Sequence, residues 1–318
     1  MKLESLFKKK ISFFGLDIGQ SSLKLIESDL TGANRRITQA FCLPFTGEVF
    51  HNQVLQYPQK VVDALAQIQE KVNLSEKRAV IGLPGPSVFT KKIKIPRVDR
   101  EDLQSTVQYE AANYIPHNIQ AVKLDYTVLR QIGKDSLEVL IVAVRNEIIE
   151  SYLDAIMMAG INVGIADVDF FALQNLFETN YPSLQKNLVA LVDIGHRFVS
   201  VALCQNGESL FTGDIPLHSK EPKDIAAEIN RSLSFYWGSS GAVDEQLIDR
   251  IMLAGGGVRS EQLLAALQEK TGLTCEVIDP FLGWTLDVPL PDGDKSVFAI
   301  AAGLSLRTFG DRQELGDD

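Results

Sequence analysis

Residues 13–27 read Phe-Phe-Gly-Leu-Asp-Ile-Gly-Gln-Ser-Ser-Leu-Lys-Leu-Ile-Glu: an apolar strand, a glycine turn and a second strand of alternating apolar positions. Strand alternation puts Leu16 and Ile18 on one face and Asp17 on the other. A lone carboxylate at the end of such a strand needs a partner, because a buried unpaired charge is costly. Gly19 permits a close turn, and Ser21 and Ser22 add hydroxyls and backbone N–H groups. The set makes a pocket for phosphate oxygens, with Asp17 placed to hold a hydrated Mg²⁺. Residues 188–203 repeat the pattern as Leu-Val-Ala-Leu-Val-Asp-Ile-Gly-His-Arg-Phe-Val-Ser-Val-Ala-Leu, delivering Asp193-Ile194-Gly195 to a second turn. One Asp-x-Gly turn is ordinary chemistry. Two, in separate halves of one chain, predict two similar lobes facing a common cleft.

A third stretch fits that cleft. The apolar strand Ile248 to Leu253 runs into Ala254-Gly255-Gly256-Gly257, followed by a helix from Ser260 to Glu269. Backbone without side chains lets a flat ring or a ribose approach closely, and a helix N-terminus favours phosphate. On the helix from Lys223 to Trp237, Glu228 and Arg231 lie one turn apart, either to close over a nucleoside or as an ordinary surface pair.

A chain of 318 residues exceeds one comfortable core, which also argues for two lobes. Its 45% hydrophobic and 23% charged residues are those of a globular protein, and its net charge of −10 argues against broad nucleic-acid binding. No run approaches membrane-spanning length, and no signal peptide is expected. Cys42, Cys204 and Cys275 form no CxxC and read as reduced thiols of a cytoplasmic protein. Met1 to Lys10 sets Leu3, Leu6 and Phe7 before Lys8 to Lys10; a frayed N-terminus is favoured over a lipid-facing helix. There is no GxxxxGK[ST], GxGxxG or GxSxG motif and no metal-type Cys/His spacing.

Between the hairpins, strands are expected at Thr38 to Leu43 and Arg78 to Leu83, with a helix from Tyr57 to Val72. Residues 88–165 then read as a compact β-α-β-β-α-β module, with a helix from Arg100 to Tyr114 stopped at Ile115-Pro116. Tyr114, Ile115 and Pro116 either border a groove for an extended peptide or simply pack in the module's core. The second lobe continues with a strand around Ser209 to Ile215, a polar link, and an interruption at Gly238 to Gly241. A small-residue helix from Ser296 to Phe309 suits close packing.

Taken together, Asp17-Ile-Gly, Asp193-Ile-Gly with Ser200, Leu253-Ala-Gly-Gly-Gly and Ala302-Gly303 resemble the phosphate, adenosine and connecting motifs of the actin and heat-shock-chaperone ATPases. The inserted module resembles the subdomain of the cell-division protein FtsA. Nearly the whole chain is similar to the PilM family of type IV pilus assembly proteins. That likeness rests on the Lys-rich start before Gly-Leu-Asp-Ile-Gly-Gln-Ser-Ser-Leu-Lys, Tyr114-Ile115-Pro116, Asp167-Val-Asp-Phe-Phe-Ala-Leu173 and Glu228-Ile-Asn-Arg-Ser-Leu-Ser-Phe-Tyr236.

The resemblance implies an α/β, two-lobed actin-like ATPase fold of duplicated ribonuclease H-like lobes with an FtsA-like α+β subdomain in lobe 1. Its divisions are a basic arm over 1–12, lobe 1 over 13–87 with 166–185 and 296–309, the insert over 88–165, lobe 2 over 186–295 and an acidic tail over 310–318. It further implies ATP and Mg²⁺ as cofactors. Asp17, Gly19, Gln20, Ser21 and Ser22 would contact phosphates or Mg²⁺. Asp193 and Gly195 would face them, and Gly255, Gly256 and Gly257 with Glu228 would hold adenosine. The implied setting is a cytoplasmic protein docked at the inner membrane, with at most weak ATPase activity. Its partner would be the cytoplasmic tail of the membrane protein PilN, with pilus motor ATPases and the platform protein as further contacts. Two features depart from the family. The link between Ile215 and Lys223 is short where relatives carry a larger helical subdomain, and bulky His196-Arg197 follows Gly195, either crowding a phosphate or neutralising one. The competing readings are a small-metabolite kinase and an interaction scaffold without nucleotide.

Overall fold

The structure, a computed structural model, describes residues 12–31, 35–240, 248–258 and 261–307. The expected acidic tail, and all of the basic arm but Ser12, lie outside these residues.

The first lobe opens with the quoted hairpin as β1 (Phe13–Ile18) and β2 (Ser22–Asp29), followed by β3 (Arg36–Pro44). A two-strand ribbon, β4 (Phe50–His51) and β5 (Val54–Leu55), leads into α1 (Pro58–Gln69) and β6 (Arg78–Leu83). The inserted module comprises β7 (Val88–Pro96), α2 (Arg100–Ala111), β8 (Val122–Ile132) and β9 (Ser136–Arg145). The chain then returns through α3 (Asn146–Met158), β10 (Asn162–Val168) and α4 (Asp169–Asn180). The second lobe holds β11 (Val189–Ile194), β12 (Phe198–Gln205), β13 (Glu208–Pro216), α5 (Pro222–Ser240), β14 (Arg250–Ala254), α6 (Glu261–Thr271) and β15 (Thr274–Val277). Last come β16 (Thr285–Leu286) and α7 (Ala299–Ser305).

Alternation along the strands decides how these elements stack. Phe14, Leu16 and Ile18 of β1 pack with Val61, Leu65 and Ile68 of α1 and Tyr152 and Ile156 of α3. In lobe 2, Val192 and Ile194 pack with Ile229 and Leu233 of α5 and Leu263 and Leu267 of α6. The opposite sheet faces, through Ile26 and Val80 on one side and Leu191, Met252 and Ala254 on the other, share one cluster with α4 and α7. The two lobes therefore clasp α4 and α7 between them. Small residues make this possible: a Cβ on Gly303 would lie 1.9 Å from the Ala172 carbonyl oxygen, so α7 meets α4 backbone to backbone. The close-packing role expected for this helix holds, although it is shorter, with a 3₁₀ turn at Lys295–Phe298 ahead of it.

The sheets run β10-β6-β1-β2-β3-β16 in lobe 1 and β13-β12-β11-β14-β15 in lobe 2, with a separate β7-β9-β8 sheet in the insert. This pairing redraws the expected insert over 88–165. β10 pairs parallel with β6, and α3 packs on α1, so both belong to lobe 1 and the insert's own sheet closes at Arg145. Periodicity identifies such elements but not the sheet they join. For the same reason β16, inside the expected lobe 2 range, adds to β3 of lobe 1. α2 stops at Ala111 rather than Tyr114, and α5 runs on to Ser240 across the expected break at Gly238, whose remaining residue Gly241 lies outside the described set.

Candidate functional site

The two hairpins are built alike. In lobe 1, β1 and β2 pair antiparallel with Asp17 opposite Lys24, and the Gly19 N–H donates to the Ser22 carbonyl at 3.0 Å. In lobe 2, β11 and β12 pair with Asp193 opposite Ser200, and the Gly195 N–H donates to the Phe198 carbonyl at 2.9 Å. Because Leu16 and Ile18 point toward α1 and α3, Asp17 takes the other face, where Gly15 packs against α7. Asp193 shares a face with Leu191, which belongs to the core around α4 and α7. Both carboxylates thus turn toward the layer between the lobes.

Their electrostatics differ. Asp17 is buried and accepts from Lys24 Nζ at 3.0 Å. Burial opposes the charge on Lys24, but Asp17, with Asp193 adding to it, lifts the ammonium above its ordinary range. For Asp193, burial first, and then the negative charge of Asp17, raise the pKa to about 6, with Lys24 opposing. A third carboxylate joins them. Asp169 opens α4 at the end of β10, and burial, then Asp17 and Asp193, hold it far toward the protonated form. Its Oδ1 is buried with no hydrogen-bond partner among the described residues, in space left by the absent side chain of Gly82. Two residues earlier, Asp167 is instead held by Arg307 Nε at 2.7 Å. Asp214 of β13, which receives the Ser200 hydroxyl and abuts Gly85 of lobe 1, is also raised by burial.

The glycine triplet reaches the same place. Gly255 has φ +92°, and a Cβ there would lie 2.4 Å from Asp193 Oδ1, so glycine meets both demands. Gly257 N–H donates to the Ile194 carbonyl at 2.9 Å, and a Cβ on Gly256 would meet its first neighbour, Val297, only at 3.8 Å. Gln20 and Ser21 sit in the lobe 1 turn, where the Ser21 carbonyl accepts from Phe45 N–H at 2.8 Å, and Ser22 begins β2. Glu228 is held by Arg231 on α5. Gln20 and Arg197 face a cavity of about 320 Å³ at the cleft mouth.

A second cavity, of about 250 Å³, lies between lobe 1 and the insert, lined by Gln53, Val88, Ile115, Pro116, Arg145 and Ile148 among others. Ile115 and Pro116 line it, whereas Tyr114 lies outside with Lys91 Nζ 4.5 Å from its ring centre.

Lys24 and Asp169 were absent from the expected site. Lys24 was legible from the hairpin register, which pairs it with Asp17. Asp169 gave a weaker signal, an acidic residue where an apolar strand meets a helix, and its convergence with Asp17 and Asp193 required the fold.

Residues 15–218 and 222–309 match the family described as type IV pilus assembly protein PilM. The chain belongs to the PilM family. Among solved structures, it is similar to the chain in the PilM–PilN type IV pilus biogenesis complex, with a TM-score of 0.78, 22% identity, and coverage of 93% of this chain and 98% of that one. It also resembles a Bacteroides thetaiotaomicron protein with an actin-like ATPase fold (TM-score 0.53, 10% identity, 96% and 100% covered). The ethanolamine utilization protein EutJ from Carboxydothermus hydrogenoformans is similar too (TM-score 0.51, 12% identity, 96% and 95% covered). The expected actin-like fold is borne out.

Proposed function

We propose that this actin-like component of type IV pilus assembly binds Mg-ATP between its two acidic turns. In the same reading, the cytoplasmic tail of a PilN-type membrane protein lies in the groove between lobe 1 and the insert. The observation that carries the nucleotide half is the crowding of carboxyl groups in the cleft: Lys24, already paired with Asp17, lies beside Asp193 and an Asp169 that stays protonated for want of a counter-charge. A divalent cation relieves that crowding. The unpartnered Asp169 Oδ1 and the raised Asp193 fit such an ion. Among the described residues, no three His, Cys, Asp or Glu side chains form a direct metal site, which suits a hydrated ion held through water and phosphate oxygens. Mg²⁺ supplies neutralisation of the phosphates when bound.

In this reading Asp17, Asp193 and Asp169 orient the ion's waters. Gly19 to Ser22 and Gly195 line the phosphates, Lys24 adds a positive charge beside them, and Gly255 to Gly257 with Glu228 border the adenosine. Asp17→Ala is expected to abolish the thermal stabilisation given by Mg-ATP; an unchanged melting shift rejects the site.

The peptide half rests on the groove beside Ile115 and Pro116 and on the partner named with the similar complex. Attachment at the inner membrane would follow from that partner; no helix among the described residues is long and apolar enough to cross a membrane. Motor ATPases and the platform protein remain further proposed contacts. In fluorescence anisotropy, Ile115→Asp is expected to weaken binding of a labelled PilN tail peptide at least tenfold, and full retention discards the groove. A second reading, a scaffold without nucleotide, is favoured by the short link 217–221 between β13 and α5. Peptide binding with no heat of Mg-ATP binding in calorimetry selects it.

A further inference from the structure

The lobe 2 turn carries a cation where lobe 1 has a small hydroxyl. Counting from the aspartates, Arg197 occupies the place of Ser21, and both turns close with the same glycine hydrogen bond. The turn around Arg197 is fixed, because its carbonyl accepts from Leu217 N–H at 2.7 Å. Its guanidinium crosses the cleft mouth to pair with Glu48 of lobe 1. Glu48 sits on an anchored loop, since Lys60 Nζ donates to the Glu48 carbonyl at 2.7 Å and to the Thr46 carbonyl at 2.6 Å. Arg197 also lines the mouth cavity of about 320 Å³, facing Gln20 of the opposite turn and Asn52 and Gln53 of the β4–β5 ribbon. The surroundings are basic: burial first, then Lys220 and Arg197, make His196 harder to protonate. The deeper cleft has the opposite character, with its lysine already engaged by Asp17. An anionic ligand that spans both turns therefore meets an additional cation at the mouth.

Resting on the nucleotide reading above, we propose that Arg197 binds the terminal phosphoryl group of a nucleoside triphosphate, and that Glu48 occupies the guanidinium until that group displaces it. Both groups of the ion pair are largely exposed, at 44% and 65% of their side-chain surface, and such pairs add little stability. A phosphoryl group brings more charge than a carboxylate and matches the same forked donor, so exchange favours the ligand. A diphosphate, lacking that last group, leaves the pair closed. Arg197 would thus set preference between triphosphate and diphosphate.

The test is calorimetric titration of the full chain with Mg-ADP and with a magnesium complex of a non-hydrolysable ATP analogue. Arg197→Ala is expected to weaken the triphosphate about tenfold or more, the worth of a charge-assisted hydrogen bond, while Mg-ADP changes less than about twofold. Glu48→Gln should tighten the triphosphate alone, and Arg197→Lys should restore part of the loss. An unchanged melting temperature without ligand confirms that each variant folds. If Arg197→Ala leaves the triphosphate affinity intact, or weakens both nucleotides equally, the assignment of Arg197 is overturned while nucleotide binding stands. If the wild-type chain binds neither nucleotide, both proposals fall.

Discussion

The two hairpins share a backbone and differ in charge. Across lobe 1, one row of neighbouring positions reads Asp17, Lys24, Cys42; across lobe 2 the matching row reads Asp193, Ser200, Asp214. The first row neutralises itself through a buried ion pair. The second holds two carboxylates and a hydroxyl: burial raises Asp193, while Asp214 accepts the Ser200 hydroxyl. The duplicated scaffold differs between its halves: the first pairs its aspartate with a lysine of its own hairpin, and the second sets a serine opposite its aspartate. The exposed turns reverse the pattern, with Ser21 in lobe 1 and Arg197 in lobe 2.

If this contrast is right, equivalent substitutions must act with opposite sign. Asp17→Asn should be the most damaging, destabilising the chain by about 3–5 kcal/mol in denaturant unfolding, because it leaves Lys24 buried without a carboxylate. Asp193→Asn should instead stabilise the ligand-free chain above pH 7. The rise from 3.8 to about 6 caps that gain at about 3 kcal/mol. Destabilisation by both would mean that Asp193 has a partner of its own. Gly255→Ala should cost about 1–3 kcal/mol through its positive φ and contact with Asp193, and Asp193→Asn in the same chain should not recover the backbone part of that loss.

The same Asp193 shift also sets a pH dependence. Asp193 binds its proton more tightly folded than unfolded, so its contribution favours the fold in acid and is lost as pH rises from about 4 through about 6. If Mg-ATP binds as proposed, through the ionised Asp193, its affinity should strengthen over the same interval. Ser200→Lys places the lobe 1 lysine in lobe 2 and should flatten both trends, as followed by unfolding and calorimetry between pH 4.5 and 7.5. Persistence of the trends would mean that the register-matched lysine is not what separates the halves.

Much of this site could be read locally. The Asp17 and Asp193 turns announced themselves as repeated strand, turn and strand patterns, and the glycine triplet followed an apolar strand. What stayed hidden depended on pairing between distant segments. The β10 strand reads the same whether it completes the insert or extends the lobe 1 sheet, and β16 is too short to show any period. For Ile115 and Pro116 the sequence leaves a peptide groove and plain core packing open; the cavity they line exists because lobe 1 and the insert meet there.

The sequence by itself determined the duplication, the face each aspartate takes and the small-residue helix, because these follow from strand alternation and from side-chain size, which neighbours along the chain already encode. Only the tertiary structure decided the charge state of the cleft. Asp169 and Asp193 lie far along the chain from the Asp17–Lys24 hairpin, and the titration of Lys24, Asp169 and Asp193 depends on burial and on neighbouring charges, which arise only once the lobes close on α4 and α7.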